Sequence, residues 1–183
     1  MQNEFVIQPA KDEDLNRLIT FLSQPEIDKG FCKPLSDRNI SIRERVYLKY
    51  KRGLWILAEI EDQIVSCVAI VPEGMGVSFS TFACKDNKIC KFAGGRIWEE
   101  SLKLARDFFN ASFIEIDSWE GNEFISRFLA KRGFKKIGTY CDPDKRPDCV
   151  NSVLYRMTLN QQPSTELVVR EMVGVTHCCK PMI

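Results

Sequence analysis

A charge excess of one sign, long apolar runs and C-x-x-C pairs are all missing from this 183-residue chain. Its 26 basic and 25 acidic residues leave a formal net charge of +1. That argues against a dedicated nucleic-acid binder, because such domains are strongly basic. The longest apolar runs, around 54–60 and 64–71, are far shorter than the ~20 residues a membrane helix requires, so no membrane partner is expected. "MQNEFVIQPAKDED" has no basic region followed by an apolar core; no secretion signal is read there, and the cytoplasm is the expected location. Cysteines occur at 32, 67, 84, 90, 141, 149, 178 and 179, yet none forms a C-x-x-C pair. In a reducing compartment they read as buried or incidental thiols. Cys141 and Cys149 flank "DPDKRPD", which leaves a bridge across a hairpin open. "THCCK" gathers His177, Cys178 and Cys179 without the usual zinc-ligand spacing, so no metal is expected.

Hydrophobic residues make up 44% of the chain and charged ones 28%, ordinary for one globular domain. Residues 4–9 read as a strand, and Leu15, Leu18, Ile19 and Leu22 then recur at helical spacing. "SQPEIDKGFCKPLSDRN" reads as a polar loop. Ser41-Ile42-Arg43-Glu44 is a capping box that predicts a second helix from about 42 to Lys51, ending before Gly53. The period then changes to that of strands: "LWILAEI", "IVSCVAIVP" and "VSFSTFA" are separated by turn residues. A helix carrying Trp98, Leu102, Ala105 and Phe109 on one face follows. "SFIEI" is a strand, "NEFISRFLAKR" a short helix stopped by Gly133, and "FKKIGTY" and "VNSVLYRMTL" a closing antiparallel pair. The order predicts a mixed sheet flanked by helices, α/β or α+β.

Gly94 and Gly95 stand where that long helix is expected to begin. Adjacent glycines mark a boundary or a close backbone approach. Approach at a helix start suits an anion, because the first amides there lack intrahelical partners.

Residues 112–134, "SFIEIDSWEGNEFISRFLAKRGF", resemble the closing motif of the GNAT superfamily of N-acetyltransferases, a strand followed by N-x-x-A-x-x-F-Y-x-K-x-G-F. Asn122, Phe128, Lys131, Gly133 and Phe134 match; Ile125 replaces the small residue and Leu129 the tyrosine. The element order over 4–159 agrees with the family fold, a mostly antiparallel mixed central sheet flanked by helices. Residues 1–159 are thus expected to form the acyltransferase domain and 160–183 a C-terminal extension. The resemblance implies acetyl-CoA as cosubstrate and an amine acceptor, and it allows a homodimer. The family's R/Q-x-x-G-x-G/A pyrophosphate loop falls on Cys90–Gly95. It implies phosphate contacts from Lys91, Phe92, Ala93, Gly94, Gly95 and Arg96, and a pantetheine arm along Phe79–Cys84, including Phe82, Ala83 and Cys84. Asn122 is implied near the cofactor, although asparagine is equally suited to a plain helix cap.

Acetyl transfer to an amine of pKa roughly 10.4 needs a base, or desolvation that lowers the amine pKa, because about one part in 10³ is neutral near pH 7. Glu73, Glu115, Asp117 and Glu120 are candidates, with Asp117 favoured at the end of the splayed strand. Leu129 cannot protonate a departing thiolate as the family tyrosine does; Tyr140 or water is the substitute, while Tyr140 and Tyr155 also read as ordinary strand residues. The expected activity is acetyl-CoA-dependent N-acetylation of a primary amine. The alternative is a non-catalytic CoA- or acyl-CoA-binding protein of the same fold.

Overall fold

A computed structural model describes residues 5–147 and 150–159. The extension at 160–183, with His177, Cys178 and Cys179, and one member of the Cys141–Cys149 pair lie outside the described residues. Strand β1 (Phe5–Pro9) leads through a short 3-10 turn into helix α1 (Leu15–Leu22), followed by α2 (Pro25–Asp28) and α3 (Ile42–Arg52). Strands β2 (Leu54–Ile60), β3 (Gln63–Glu73) and β4 (Gly76–Cys84) come next, then α4 (Lys88–Asp107), β5 (Phe113–Trp119), α5 (Glu123–Ala130), β6 (Lys135–Tyr140) and β7 (Ser152–Thr158). Among the described residues, seven strands make one sheet in the order β1-β2-β3-β4-β5-β7-β6. Every neighbouring pair is antiparallel except β4 with β5. This is the mixed, mostly antiparallel sheet expected from the sequence.

The centre of the sheet is covered on both faces, which is why β2 and β3 read as nearly continuous apolar runs. Trp55 and Leu57 point to one side, into a core with Leu18 and Leu22 of α1 and Val46 of α3. Ile56 and Ala58 point to the other, toward Ala93, Ile97 and Trp98 of α4. Trp55 is fully buried, and its indole N–H donates to the Val46 carbonyl at 3.2 Å, so the large ring carries no unmet polar atom.

Local chemistry sets the ends of the elements. The Ser41 hydroxyl accepts from the Glu44 amide at 3.2 Å and starts α3 where the capping box placed it. Gly133 takes φ +86° just past α5, and the Phe134 amide bonds back to the Leu129 carbonyl at 3.1 Å. Glu61 and Asp62 adopt positive φ in a two-residue hairpin turn, so Gln63 already belongs to β3.

Two expectations need correction. The 23–39 segment is not simply loop: Pro25 occupies the first position of α2, where its fixed φ suits a helix start. More consequentially, α4 begins at Lys88 and runs through Ala93, Gly94, Gly95 and Arg96. Its cap is Asn87, whose Oδ1 accepts from the Cys90 amide at 2.8 Å. Gly94 serves packing: a Cβ there would lie 3.2 Å from the Cys84 sulfur and 3.6 Å from the Ser66 hydroxyl. The glycine lets α4 settle against β3 and β4 instead of marking where the helix begins.

Candidate functional site

Strands β4 and β5 pair only at Val77 with Ile114 and Ser78 with Glu115. Beyond Ser78 they part, while β4 stays paired to β3 through a register shift opposite Cys67 to Ala69. Thr81 in this stretch takes φ +54°, a costly conformation for a β-branched residue and one typical of bulges that re-aim a strand. The divergence leaves the β5-facing edge of β4 without a strand partner and opens a cavity of about 320 Å³.

One side of this cavity is apolar. Phe79, Trp98, Ile125, Phe128 and Leu129 line it. The Trp98 ring meets Phe79 edge-on at 5.7 Å and Phe128 at 5.2 Å, which fixes the wall. The other side is cationic: Arg38, Arg45, Lys49, Lys145 and Arg146 all line it, and Asp117 is the acidic residue among them.

The charges are connected in a definite way. Arg146 donates to Asp117 Oδ2 at 2.7 Å, and Lys145 approaches Asp117 Oδ1 at 3.4 Å and Asp142 at 3.5 Å. Arg45 pairs with Asp144 at 3.1 Å. Lys49 has no carboxylate at ion-pair distance among the described residues; it donates to the hydroxyls of Ser80 and Thr81. Burial, reinforced by Arg45, Lys145 and Arg38 and opposed by Asp117, pushes the Lys49 ammonium down to about 7. Arg38 donates to the Lys33 carbonyl at 3.1 Å and has no carboxylate at ion-pair distance among the described residues. Burial and the like charges of Arg45 and Arg146 push it down to about 10.

The structure divides the residues singled out from the sequence. Phe82 and Asp117 line the cavity, and so does Leu129, which fills its place with an aliphatic side chain. Ala83 is buried in the core on the α1 and α3 side. The Cys84 thiol donates to the Cys90 carbonyl at 2.9 Å, and burial pushes it up. Lys91 is paired with Asp86 at 2.5 Å and Arg96 with Glu99 at 2.9 Å, while Phe92 packs edge-on against Phe5. Asn122 caps α5: its Oδ1 accepts from the Ile125 amide at 3.2 Å and its Nδ2 donates to Ser118 at 3.1 Å. Tyr140 is not among the cavity residues, and the Tyr155 hydroxyl is held at 2.7 Å by Ser126. Glu115 is engaged by Arg156, and Glu120 accepts from Asn151 at 2.9 Å.

Lys49, Arg38, Arg45, Lys145 and Arg146 had no distinguishing mark in sequence. Lys49 sits in the last turn of α3 beside Lys51 and Arg52, where cations are expected simply because they complement the helix dipole. The one local sign is that Arg45 and Lys49 are four residues apart and therefore share a helix face.

No protein-family model matches this chain, and no curated protein matches it. Solved structures do. An acetyltransferase of the GNAT family from Streptococcus pneumoniae superposes with a TM-score of 0.69 at 15% identity, covering 86% of this chain and 100% of its own. A GNAT family acetyltransferase from Elizabethkingia anophelis, with acetyl-CoA bound, gives 0.60 at 16% identity, covering 87% and 100%. The ribosomal-protein-S18-alanine N-acetyltransferase from Escherichia coli gives 0.64 at 10%, covering 90% and 99%. The fold is that of the GNAT acetyltransferases.

Proposed function

We propose that this protein is an acetyl-CoA-dependent N-acetyltransferase acting on a primary amine. The parting of β4 from β5 carries this reading: an unpaired strand edge borders a cavity lined by both apolar and cationic side chains. Such a cavity fits a flexible amide-containing arm, which the free β4 edge beyond Ser78 would bind by strand-like hydrogen bonds. When bound, acetyl-CoA supplies an activated acyl group and a thiolate leaving group.

The phosphate end fits differently from the sequence expectation. The amides of Phe92–Arg96 lie inside α4, so the helix-start positions available to an anion are Lys88 and Ile89. Cys90 and Lys91 already donate their amides to Asn87.

Lys49 is the residue we assign to proton removal. A neutral amine can donate its two hydrogens to Ser80 and Thr81 and keep a lone pair for a proton from the acceptor ammonium. A group titrating near 7 is suited to that exchange. Asp117 is less suited, because both its oxygens are engaged by cations. Leu129 offers no proton to the leaving thiolate, whose pKa near 8.5 lets it depart without one.

A second reading, CoA binding without turnover, draws on Leu129 and on Lys91 being neutralised by Asp86. The test is calorimetric titration with acetyl-CoA together with thiol release across a panel of amines. Saturable binding with amine-dependent release supports the enzyme; binding without release across the panel supports the second reading.

A further inference from the structure

We infer that the acceptor carries an anionic oxygen group, a carboxylate or phosphate, close to its amine, and that Arg38, Arg45 and Arg146 bind that group. The inference rests on the acyltransferase reading for the identity of the amine as acceptor. The anion site itself rests on the chamber's side chains.

Five cationic side chains face the cavity and one carboxylate does. Counting the carboxylates that lie behind the lining adds only Asp142 and Asp144, which hold Lys145 and Arg45 from outside. Arg38 and Lys49 remain without a counter-ion among the described residues. The arginines are also incompletely satisfied. The Arg45 and Arg146 side chains are only 8% and 6% exposed. The Nε of each is buried and has no hydrogen-bond partner. Buried donors on charged groups are costly to leave unmet. Guanidinium groups present paired donors that suit carboxylate or phosphate oxygens. Arg38 is pushed down by burial and by the nearby positive charges of Arg45 and Arg146, as expected where cations converge on a site that lacks its anion.

The geometry also disfavours other acceptors. A polyamine or a lysine-rich peptide would place further cations against Arg38, Arg45, Lys145 and Arg146, the four that stay charged when Lys49 is neutral. An amine without an anionic group would leave the excess positive charge of the lining unbalanced. The cavity of about 320 Å³ must also hold the acetyl end of the cofactor arm, so the room left beside the cationic residues suits a compact acceptor.

The test compares matched pairs on the full chain: glycine with glycinamide, and phosphoethanolamine with ethanolamine. In acetyl-transfer assays the anionic member of at least one pair should be favoured by about tenfold or more in kcat/KM, since one charge-assisted contact is enough for that ratio. The favoured pair identifies carboxylate or phosphate. Arg38 breaks no ion pair when replaced, so Arg38→Gln should keep its melting temperature and lose most of the preference, while Arg38→Lys should retain part of it. The same pairs are titrated by calorimetry without acetyl-CoA. Selective binding of the anionic member without turnover would sustain the anion site and sink the transferase reading. Equal or better binding and turnover of ethanolamine, glycinamide or a polyamine would overturn the inference, as would an unchanged preference in a folded Arg38→Gln.

Discussion

The Lys49 ammonium reaches from the last turn of α3 to the hydroxyl of Thr81, the residue whose positive φ marks the bend of β4 away from β5. A titratable group is thereby tied to the mouth of the slot. Around it stand Arg45 of its own helix, Arg38 in the loop before that helix, Lys145 in the β6–β7 connection and Asp117 of β5.

The first prediction concerns this lysine. Activity should rise with pH through about 7 as Lys49 loses its proton. Lys49→Met should lower kcat by ~10² and remove that limb of the profile. Stability moves with it. The folded-state value is below the unfolded value of roughly 10.4, so the unfolded chain holds more protons between about pH 7 and 10. Stability should therefore increase with pH across that window, and Lys49→Met should flatten the increase in chemical denaturation curves. An unchanged pH profile in a folded Lys49→Met would remove Lys49 from the chemistry.

The second separates the two glycines of α4. Gly95 meets nothing within 4 Å of an added Cβ, whereas Gly94 is closed by the Cys84 sulfur at 3.2 Å. Gly95→Ala should stabilise the protein by about 0.5–1 kcal/mol in urea denaturation, the ordinary helical gain. Gly94→Ala should gain nothing or lose stability, because Cys84 must yield. If Gly95→Ala instead leaves stability flat and destroys acetyl-CoA affinity, the glycines form a phosphate loop and not a helix interior.

A third prediction distinguishes an ion-pair partner from a base. Asp117→Asn leaves the buried Arg146 without its carboxylate and should cost about 3 kcal/mol of stability, as breaking a buried pair does. The molecules that remain folded should still turn over. Loss of all activity with no change in melting temperature would restore Asp117 as the base.

The fourth tests departure of the thiolate. Leu129 is 1% exposed and lines the apolar wall. Leu129→Tyr should raise kcat toward ~10²-fold if its hydroxyl reaches the sulfur, against an overpacking cost of about 1–3 kcal/mol. Tyr140→Phe should leave kcat within error of the parent. The reverse pattern in the two variants would make Tyr140 the acid.

Most of the fold was legible locally. The capping box at Ser41, the short apolar, β-branched runs of β2 and β3, and the stop at Gly133 each express short-range chemistry, and each stands where the sequence placed it. Gly94 and Gly95 were not legible, because a glycine wanted for close packing and one wanted for a phosphate turn look alike in a sequence. The decisive residue was Asn87, a cap seven positions earlier than Gly94 whose role emerges only once α4 is seen to extend that far. The cationic chamber was hidden for another reason. Arg38, Arg45 and Lys49 meet Lys145 and Arg146 across about a hundred residues of chain, through a sheet order that no local pattern encodes.

Among the described residues, the two register pairs that join β4 to β5 are the only ladder between β1–β4 on one side and β5–β7–β6 on the other. Past Ser78 the two halves of the sheet are held together through the shared core that includes Phe79, Trp98, Leu129 and Val153, not through strand pairing. A guest laid along the open edge of β4 would take the position of a missing strand. On the proposed reading, the cofactor arm would supply hydrogen bonds that the protein's own strands leave unmade, so a part of the sheet's ladder would be completed by a molecule that is not protein.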